Sequence, residues 1–219
     1  MKIENSLIYE DNHLLVINKP AGLLTQDSGR NEENLEAWAK EWLKEKYQKS
    51  GNVFLGAIHR LDRQASGIVL FARTSKALSR LQKAMRLMQL RKQYISLIEG
   101  VPQALEGSLE HFIFHDDHRA RIVSESFPGA KKARLRYRVL EKSSRGAMVE
   151  IELETGRYHQ IRAQLAEIGH PIWGDVKYGS RIPWAPGIAL HHAELRVVHP
   201  ITAVLHTFTA PPCFVTGLE

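Results

Sequence analysis

Two short apolar runs, Leu7-Ile8-Tyr9 and Leu14-Leu15-Val16-Ile17, flank the turn-forming Glu10-Asp11-Asn12 near the start of the chain. That pattern predicts a β-hairpin. Asn18-Lys19-Pro20-Ala21-Gly22 closes the second run, because Pro and Gly punctuate regular structure, and a loop to about Arg30 follows. From Glu32 to Tyr47, Leu35, Trp38, Ala39, Trp42 and Leu43 recur at three- and four-residue steps among Glu and Lys. An amphipathic helix is predicted there, with Asn31 as its N-cap. Trp38 and Trp42 could stack on bases, but at helical spacing they read as core.

Ile68 to Phe71 predicts a short buried strand, and Ser75 to about Leu90 a helix with Ala77, Leu78, Leu81, Ala84, Met85 and Met88 on one face. Tyr94 to Ile98 is strand-like. Between 133 and 139, Ala133, Leu135, Tyr137 and Val139 alternate with Arg134, Arg136 and Arg138. This is the period of a half-exposed strand, and its outer face reads as entirely guanidinium. Met148 to Leu153 predicts a further strand. Ile161, Leu165 and Ile168 mark a helix that Gly169 and Pro171 stop, and two short strands are expected near 190–198 and 204–209. Strands outnumber helices, which predicts a single mixed α+β domain over residues 1–219.

With 219 residues, 43% of them apolar and 25% charged, the chain has ordinary globular composition and enough material for a core. Disorder and collagen-like structure are excluded. No stretch approaches about 18 consecutive apolar residues, and the start lacks the basic-then-apolar pattern of a secretory signal. A soluble, cytoplasmic protein is expected. Cys213 is the one cysteine, so no internal disulfide or Cys-based zinc site is possible.

The net charge of +6 acquires meaning from its distribution. Between Asp62 and Glu99, Arg63, Arg73, Lys76, Arg80, Lys83, Arg86, Arg91 and Lys92 meet no acid. In 119–140, Arg119, Arg121, Lys131, Lys132, Arg134, Arg136 and Arg138 meet Glu125 alone. Two such stretches point to a polyanion, because phosphate neutralisation by Lys and Arg supplies most sequence-independent affinity for nucleic acid. The plainer reading is a solvated face of ordinary elements.

Two polar clusters could carry chemistry. His59-Arg60-Leu61-Asp62-Arg63 places a carboxylate between arginines in a loop entering a strand. A nearby guanidinium keeps such a group ionised, which suits nucleophilic or electrostatic work better than general-acid work; the alternative is a structural Arg–Asp pair. Thr155-Gly156-Arg157-Tyr158-His159-Gln160-Ile161-Arg162 lies at a strand-to-helix junction, where His159 and Arg162 share a helix face. Gly156 there allows close backbone approach to a ligand or another loop.

The chain resembles the RluA-class RNA pseudouridine synthases along nearly its whole length. Asn18-Lys19-Pro20-Ala21-Gly22 is similar to the family's NKPxG element, His59-Arg60-Leu61-Asp62 to its HRLD motif, and Lys92-Gln93-Tyr94 to its K-x-Y motif. Thr155 to Arg162 resembles its TGRxHQIR motif, and Gly169-His170-Pro171-Ile172, Gly174-Asp175, Tyr178-Gly179, Leu190-His191, His199-Pro200 and Ala210-Pro211 follow in order. The resemblance implies the pseudouridine-synthase fold, a mixed and largely antiparallel sheet flanked by helices. It implies an isomerase that turns uridine into pseudouridine, which needs no cofactor or metal because no atom is gained or lost.

By the same resemblance Asp62 is the catalytic aspartate, Tyr94 stacks on the target base, and Arg162 pairs with the aspartate and holds it charged. Arg60 fills the gap left by a flipped nucleotide or orders the loop. His59, Arg157, His159 and Gln160 are candidate RNA contacts, and so, from their charge, are Arg134, Arg136 and Arg138. One departure is Ala65, where the family commonly has Thr. Longer relatives carry an extra RNA-binding domain before NKPxG, so RNA affinity is expected from the catalytic domain itself, acting as a monomer on ribosomal or transfer RNA. Two rival readings remain. A metal-dependent hydrolase would use His111, His115 and His118 with Asp116 and Asp117, and on a helix His111 and His115 would align as an i, i+4 zinc pair, whereas Phe112-Ile113-Phe114 predicts a strand running into a turn. A non-catalytic RNA-binding or ribosome-assembly factor on the same fold is the other.

Overall fold

The computed structural model describes residues 3–116 and 118–214. After a short 3-10 turn at Ile3–Ser6, the chain forms β1 (Leu7–Glu10), β2 (Leu14–Lys19), α1 (Leu35–Lys46), β3 (Gly56–Ala57), β4 (Ser66–Ala72) and α2 (Ser75–Arg86). There follow β5 (Arg91–Glu99), β6 (Glu106–Asp116), β7 (Arg119–Val123), β8 (Lys131–Lys142), β9 (Gly146–Leu153), α3 (Gln160–Glu167), β10 (Leu190–Val198) and β11 (Leu205–Thr209). The α+β class expected from the strand-rich pattern is found. The chain divides into two compact units, Met1–Leu90 with His192–Pro211, and Arg91–His191 with Pro212–Glu219.

In the first unit the strands lie in the order β1-β2-β4-β10, with β3 on β4 and β11 on β10. The expected N-terminal hairpin is β1–β2, antiparallel from Leu7 opposite Ile17 to Glu10 opposite Leu15. Its turn is built by Asp11, whose Oδ1 accepts from the amides of His13 and Leu14 at 2.7 Å. β4 reads Ile68-Val69-Leu70-Phe71-Ala72 without alternation, and all five are fully buried. An unbroken apolar run is what a strand covered on both faces requires. α2 buries Ala77 and Leu81 in a core with Leu14, Val16, Ile68, Leu70 and Leu195. Gly67 is the one residue type its site admits: its φ is +113°, and a Cβ would lie 2.4 Å from the His192 backbone nitrogen.

In the second unit the order is β5-β9-β8-β6-β7, and the pairs β5–β9, β8–β9, β6–β8 and β6–β7 are antiparallel. Ala133, Leu135 and Tyr137 of β8 are buried and Arg134, Arg136 and Arg138 exposed, as the period-two pattern requires. α3 packs on β6 and β7, with Ala163 against Ile113, Ala120 and Ala133. Phe112, Ile113 and Phe114 lie on strand β6, so His111 and His115 are not a helical pair. The strand expected there is β6, paired antiparallel with β7, and the expected turn includes residue 117, which lies outside the described residues.

Two helix ends and the burial of two tryptophans differ from expectation. α1 is capped by Asn34, whose side chain accepts from the Ala37 amide, whereas Asn31 stands outside the helix at φ +54°. Both are asparagines, and backbone bonds from Leu35 to Leu24 and from Glu36 to Thr25 select the later one. Trp38 and Trp42 of that helix are half-buried and the core positions are Leu35, Ala39 and Leu43; Trp42 donates to Glu4 instead. α2 ends at Arg86 rather than near Leu90, because Met88 adopts φ +54° and Leu87 and Met88 turn outward. No Gly or Pro marks that end in the sequence.

Candidate active site

In the first unit Asp62 stands half-buried in the loop between β3 and β4, and the N-terminal loop anchors both of its neighbours. The Thr25 hydroxyl donates to the Leu61 carbonyl and accepts from the Leu61 amide, each at 3.1 Å. The Gly22 amide donates to the Arg63 carbonyl at 2.7 Å, and Arg63 Nε returns a bond to the Gly22 carbonyl at 3.0 Å. Ala65 N closes a turn onto the Asp62 carbonyl at 3.1 Å. The loop that carries the carboxylate is thereby fixed on either side of it, the condition for a reacting group to keep its geometry.

Lys19 completes this frame. Its side chain is fully buried, and Nζ donates to the carbonyls of Pro20 at 2.9 Å, Leu23 at 2.8 Å and Arg63 at 3.4 Å. Burial pushes its pKa down to about 7, and the nearby Asp62 carboxylate acts in the opposite direction. His59 accepts from the Leu70 amide at Nε2 over 3.3 Å and packs edge-on against His192, ring centroids 5.2 Å apart. Arg60 is exposed.

In the second unit Tyr94 lies buried on β5, two residues after Lys92 and on the same strand face. Arg162 occupies the first turn of α3 and is 4% exposed. Its Nε and Nη2 donate to Asp175 Oδ2 and Oδ1 at 2.7 and 2.8 Å, a two-point ion pair. Nη1 donates to His159 Nε2 at 2.8 Å. With Nε2 accepting, Nδ1 carries the imidazole proton and gives it to the Tyr178 hydroxyl at 3.0 Å. That hydroxyl also accepts from the Ala120 amide at 2.9 Å and donates to its carbonyl at 3.2 Å. Burial, reinforced by the Arg162 charge, pushes His159 down to about 3, and burial pushes Tyr178 up to about 12. The imidazole is therefore neutral through the physiological range and orients the guanidinium.

Local backbone explains this placement. His159 adopts the left-handed conformation at φ 49° immediately before α3, which turns the chain into the helix. Gln160 secures the preceding loop: its Oε1 accepts from Thr155 Oγ1 at 2.7 Å and the Arg157 amide at 3.0 Å, and its Nε2 donates to the Arg134 carbonyl at 2.9 Å. Expected as RNA contacts, His159 and Gln160 are buried and commit these polar atoms to protein partners. Arg157 is exposed, with Nε on the Lys132 carbonyl at 2.9 Å.

The outer face of β8 is not entirely guanidinium. Arg134 pairs with Glu110 at 2.9 Å, Arg136 with Glu154 at 2.7 Å and Arg138 with Glu150 at 3.0 Å, while Lys132 shares Glu110 at 2.6 Å. The register sets Glu106, Glu150 and Glu152 directly opposite these arginines on β6 and β9. A single strand's pattern cannot reveal its cross-strand partners, which decide the net charge of a sheet face. In contrast, Lys76, Lys83 and Arg86 of α2 are exposed and make no ion pair among the described residues, and Arg80 donates to the Pro200 carbonyl. Positions 76, 80 and 83 follow one another on a single helix face.

Thr25, Asp175 and Tyr178 had no individual role in the sequence reading, and Lys19 and Lys92 entered it only within the NKPxG and K-x-Y elements and, for Lys92, as part of a basic stretch. Asp175 and Tyr178 do fall within the Gly174-Asp175 and Tyr178-Gly179 elements quoted above, which was the available signal. Among the described residues no group of three or more His, Cys, Asp or Glu is placed to hold a metal ion, and no helix is long and apolar enough to cross a membrane.

Residues 13–167 match the sequence model of a family described as RNA pseudouridylate synthase. The chain is 35% identical over 213 residues to an uncharacterized RNA pseudouridine synthase of Bacillus subtilis (strain 168), covering 95% of this chain and 68% of the relative. Identity is 32% over 211 residues with the dual-specificity RNA pseudouridine synthase RluA of Escherichia coli (strain K12), 95% of this chain and 93% of that one. It is 32% over 220 residues with the ribosomal large subunit pseudouridine synthase D of Nitrosomonas europaea, 94% of this chain but 61% of the relative. Two human structures, RNA pseudouridylate synthase domain containing 4 and domain containing 1, superpose with TM-scores of 0.80 and 0.77 at 22% and 23% identity. They cover 96% and 98% of this chain, and 89% and 86% of their own. The fold is theirs.

Proposed function

The chain belongs to the RNA pseudouridylate synthase family and is an isomerase of that class, and from that premise we propose that it converts specific uridines of structured ribosomal or transfer RNA, with Asp62 as the acting carboxylate. In the net reaction the bond from N1 to the ribose C1′ breaks, a bond from C5 to C1′ forms, and the C5 proton is exchanged for one on N1. The stoichiometry calls for no cofactor. The observation that carries the proposal is the double anchoring of Asp62, with Thr25 on Leu61 and Gly22 and Lys19 on Arg63. A carboxylate held in this way, with a buried lysine beside it, is poised to act as an anion on an electron-poor sugar carbon or a ribose proton.

Tyr94 would stack on the freed uracil, and Arg162, held by Asp175 and His159, would present a guanidinium of constant charge and direction. The uridine must leave its stack to react, at a cost of a few kcal/mol that RNA contacts elsewhere offset. The exposed cations of α2 are suited to that task; Arg134, Arg136 and Arg138 could join only by exchanging glutamate for phosphate. Arg60, exposed two residues before Asp62, would occupy the gap left by the flipped nucleotide. We place this work in the cytoplasm and assign it to a monomer.

The test is single-nucleotide pseudouridine mapping of total RNA from source cells with the gene intact, deleted, and restored as Asp62→Ala. A site lost on deletion, restored by wild type and not by the mutant, identifies the substrate and supports the carboxylate's role. If no site changes and the purified protein releases no tritium from C5-labelled uridine in ribosomal or transfer RNA, the proposal gives way to a non-catalytic RNA-binding protein.

A further inference from the structure

The two buried lysines have opposite surroundings. Lys19 Nζ is enclosed by three carbonyls. Lys92 is 8% exposed, yet among the described residues no hydrogen bond or ion pair reaches its ammonium, and burial depresses its pKa. Among the described residues the Lys92 ammonium is not one of the buried polar atoms left without a partner, so its stem is buried while its tip stays open to solvent or to a ligand. Gly156 lies close beside this ammonium. A Cβ on Gly156 would lie 3.3 Å from Lys92 Nζ, tighter than ordinary contact, and Gly156 has no positive φ to require glycine. A side chain at 156 would press on the lysine tip, which glycine leaves unhindered.

We propose that Lys92 Nζ binds a phosphodiester of the RNA strand at the gap beside Gly156, next to the reacting uridine. This rests on the RNA-isomerase reading and extends it to a specific backbone contact. Lys92 and Tyr94 are alternate residues on one face of β5, so their side chains rise about 7 Å apart. A base stacked on Tyr94 therefore has its own or an adjoining phosphate within reach of Lys92. Lysine suits this position because its ammonium acts as a compact point charge toward phosphate. The neighbouring segment Thr155–Arg157 is fixed by Gln160, so the gap has a rigid wall.

The experiment measures binding of bulk transfer RNA and ribosomal RNA across a salt series, in an Asp62→Ala background that prevents turnover, for Lys92, Lys92→Met and Lys92→Arg. Methionine keeps the length and apolar stem while deleting the charge. For Lys92→Met we expect affinity to fall about ten- to a hundredfold and the slope of log K against log salt to fall by roughly 0.7–0.9, one phosphate contact. The urea midpoint should hold, since the ammonium makes no bond to the protein among the described residues. Lys92→Arg should retain most of the slope. Gly156→Ala should weaken binding by the Lys92 protein and add little to Lys92→Met.

Unchanged affinity and slope in Lys92→Met would overturn the proposal, as would a fallen midpoint with the slope intact, which is the behaviour of a structural lysine. Should Lys92→Met fail to fold, Lys92→Gln and Gly156→Ala carry the same test. The wild-type tritium-release assay separates the two readings: turnover with no Lys92 effect removes this inference alone, and a Lys92 effect without turnover removes the isomerase reading alone.

Discussion

Arg162 and Asp175 form a buried two-point ion pair, with side chains 5% and 1% exposed and both carboxylate oxygens engaged at 2.7 and 2.8 Å. Removing the carboxylate of such a pair takes away both of the charge-assisted bonds it makes to the buried guanidinium. Asp175→Asn should therefore cost about 3–5 kcal/mol in urea unfolding, while a double replacement, Arg162→Met with Asp175→Leu, should cost much less than the two single changes added together. Additive single effects would show that the pair is not the coupled unit described here.

His159 links that pair to pH. Its folded pKa of about 3 lies below the 6.5 of an ordinary imidazole, because burial and Arg162 disfavour the proton. The unfolded chain therefore binds more protons at His159 than the folded chain between about pH 6.5 and pH 3. Stability from this residue is full above 6.5 and falls as pH drops through that window, by at most about 1.4 kcal/mol per pH unit. Between pH 6.5 and 5, above the carboxylate range, His159→Gln should flatten the dependence of the urea midpoint on pH. An NMR titration should show the wild-type His159 ring unchanged from pH 8 to 5, and a midpoint near 6.5 would refute its buried, neutral state.

Thr25 addresses the other side of the chemistry. Thr25→Val preserves shape and deletes the hydroxyl that serves both the amide and the carbonyl of Leu61. Two buried backbone groups lose a partner, at about 1–3 kcal/mol each if neither finds another. Because Leu61 adjoins Asp62, single-turnover rates should fall by more than RNA affinity does. Equal losses in both would indicate general destabilisation, and thermal unfolding measured alongside distinguishes the cases.

These residues also show where the sequence was legible and where it was not. β2, β4, β8 and α3 were readable because each has a period, an unbroken apolar run or a helix stop, and the local motifs around Asp62, Tyr94 and Arg162 stand in contiguous stretches. Asp175 was visible only as part of a quoted element, because a contact 13 residues away depends on the tertiary path. The Asn31 and Asn34 caps were indistinguishable because both are good capping residues and the choice is made by backbone bonds to Leu24 and Thr25. Buried lysines are the least legible, since Lys19 and Lys92 read as surface charge until burial is known. The charge of the β8 face was illegible for a related reason: strand register, which no single strand encodes, brings glutamates opposite its arginines.

That register leads to the prediction about the RNA-binding face. Arg134, Arg136 and Arg138 already hold Glu110, Glu154 and Glu150, so phosphate must displace a carboxylate and leave it near the RNA. Lys76, Arg80 and Lys83 face no such competition. Replacing these three α2 residues with glutamine should reduce the slope of log K against log salt for RNA binding by roughly 2–3, at 0.7–0.9 per contact, with the chemical step unchanged at saturating enzyme. Replacing the three β8 arginines should reduce it by less, and their freed glutamates should lower affinity by repulsion at low salt. Both triple variants belong in one filter-binding series against the same RNA. A larger slope change from the β8 variant would put the RNA on the ion-paired ladder, with the glutamates as exchangeable counter-ions, and would remove α2 from the interface.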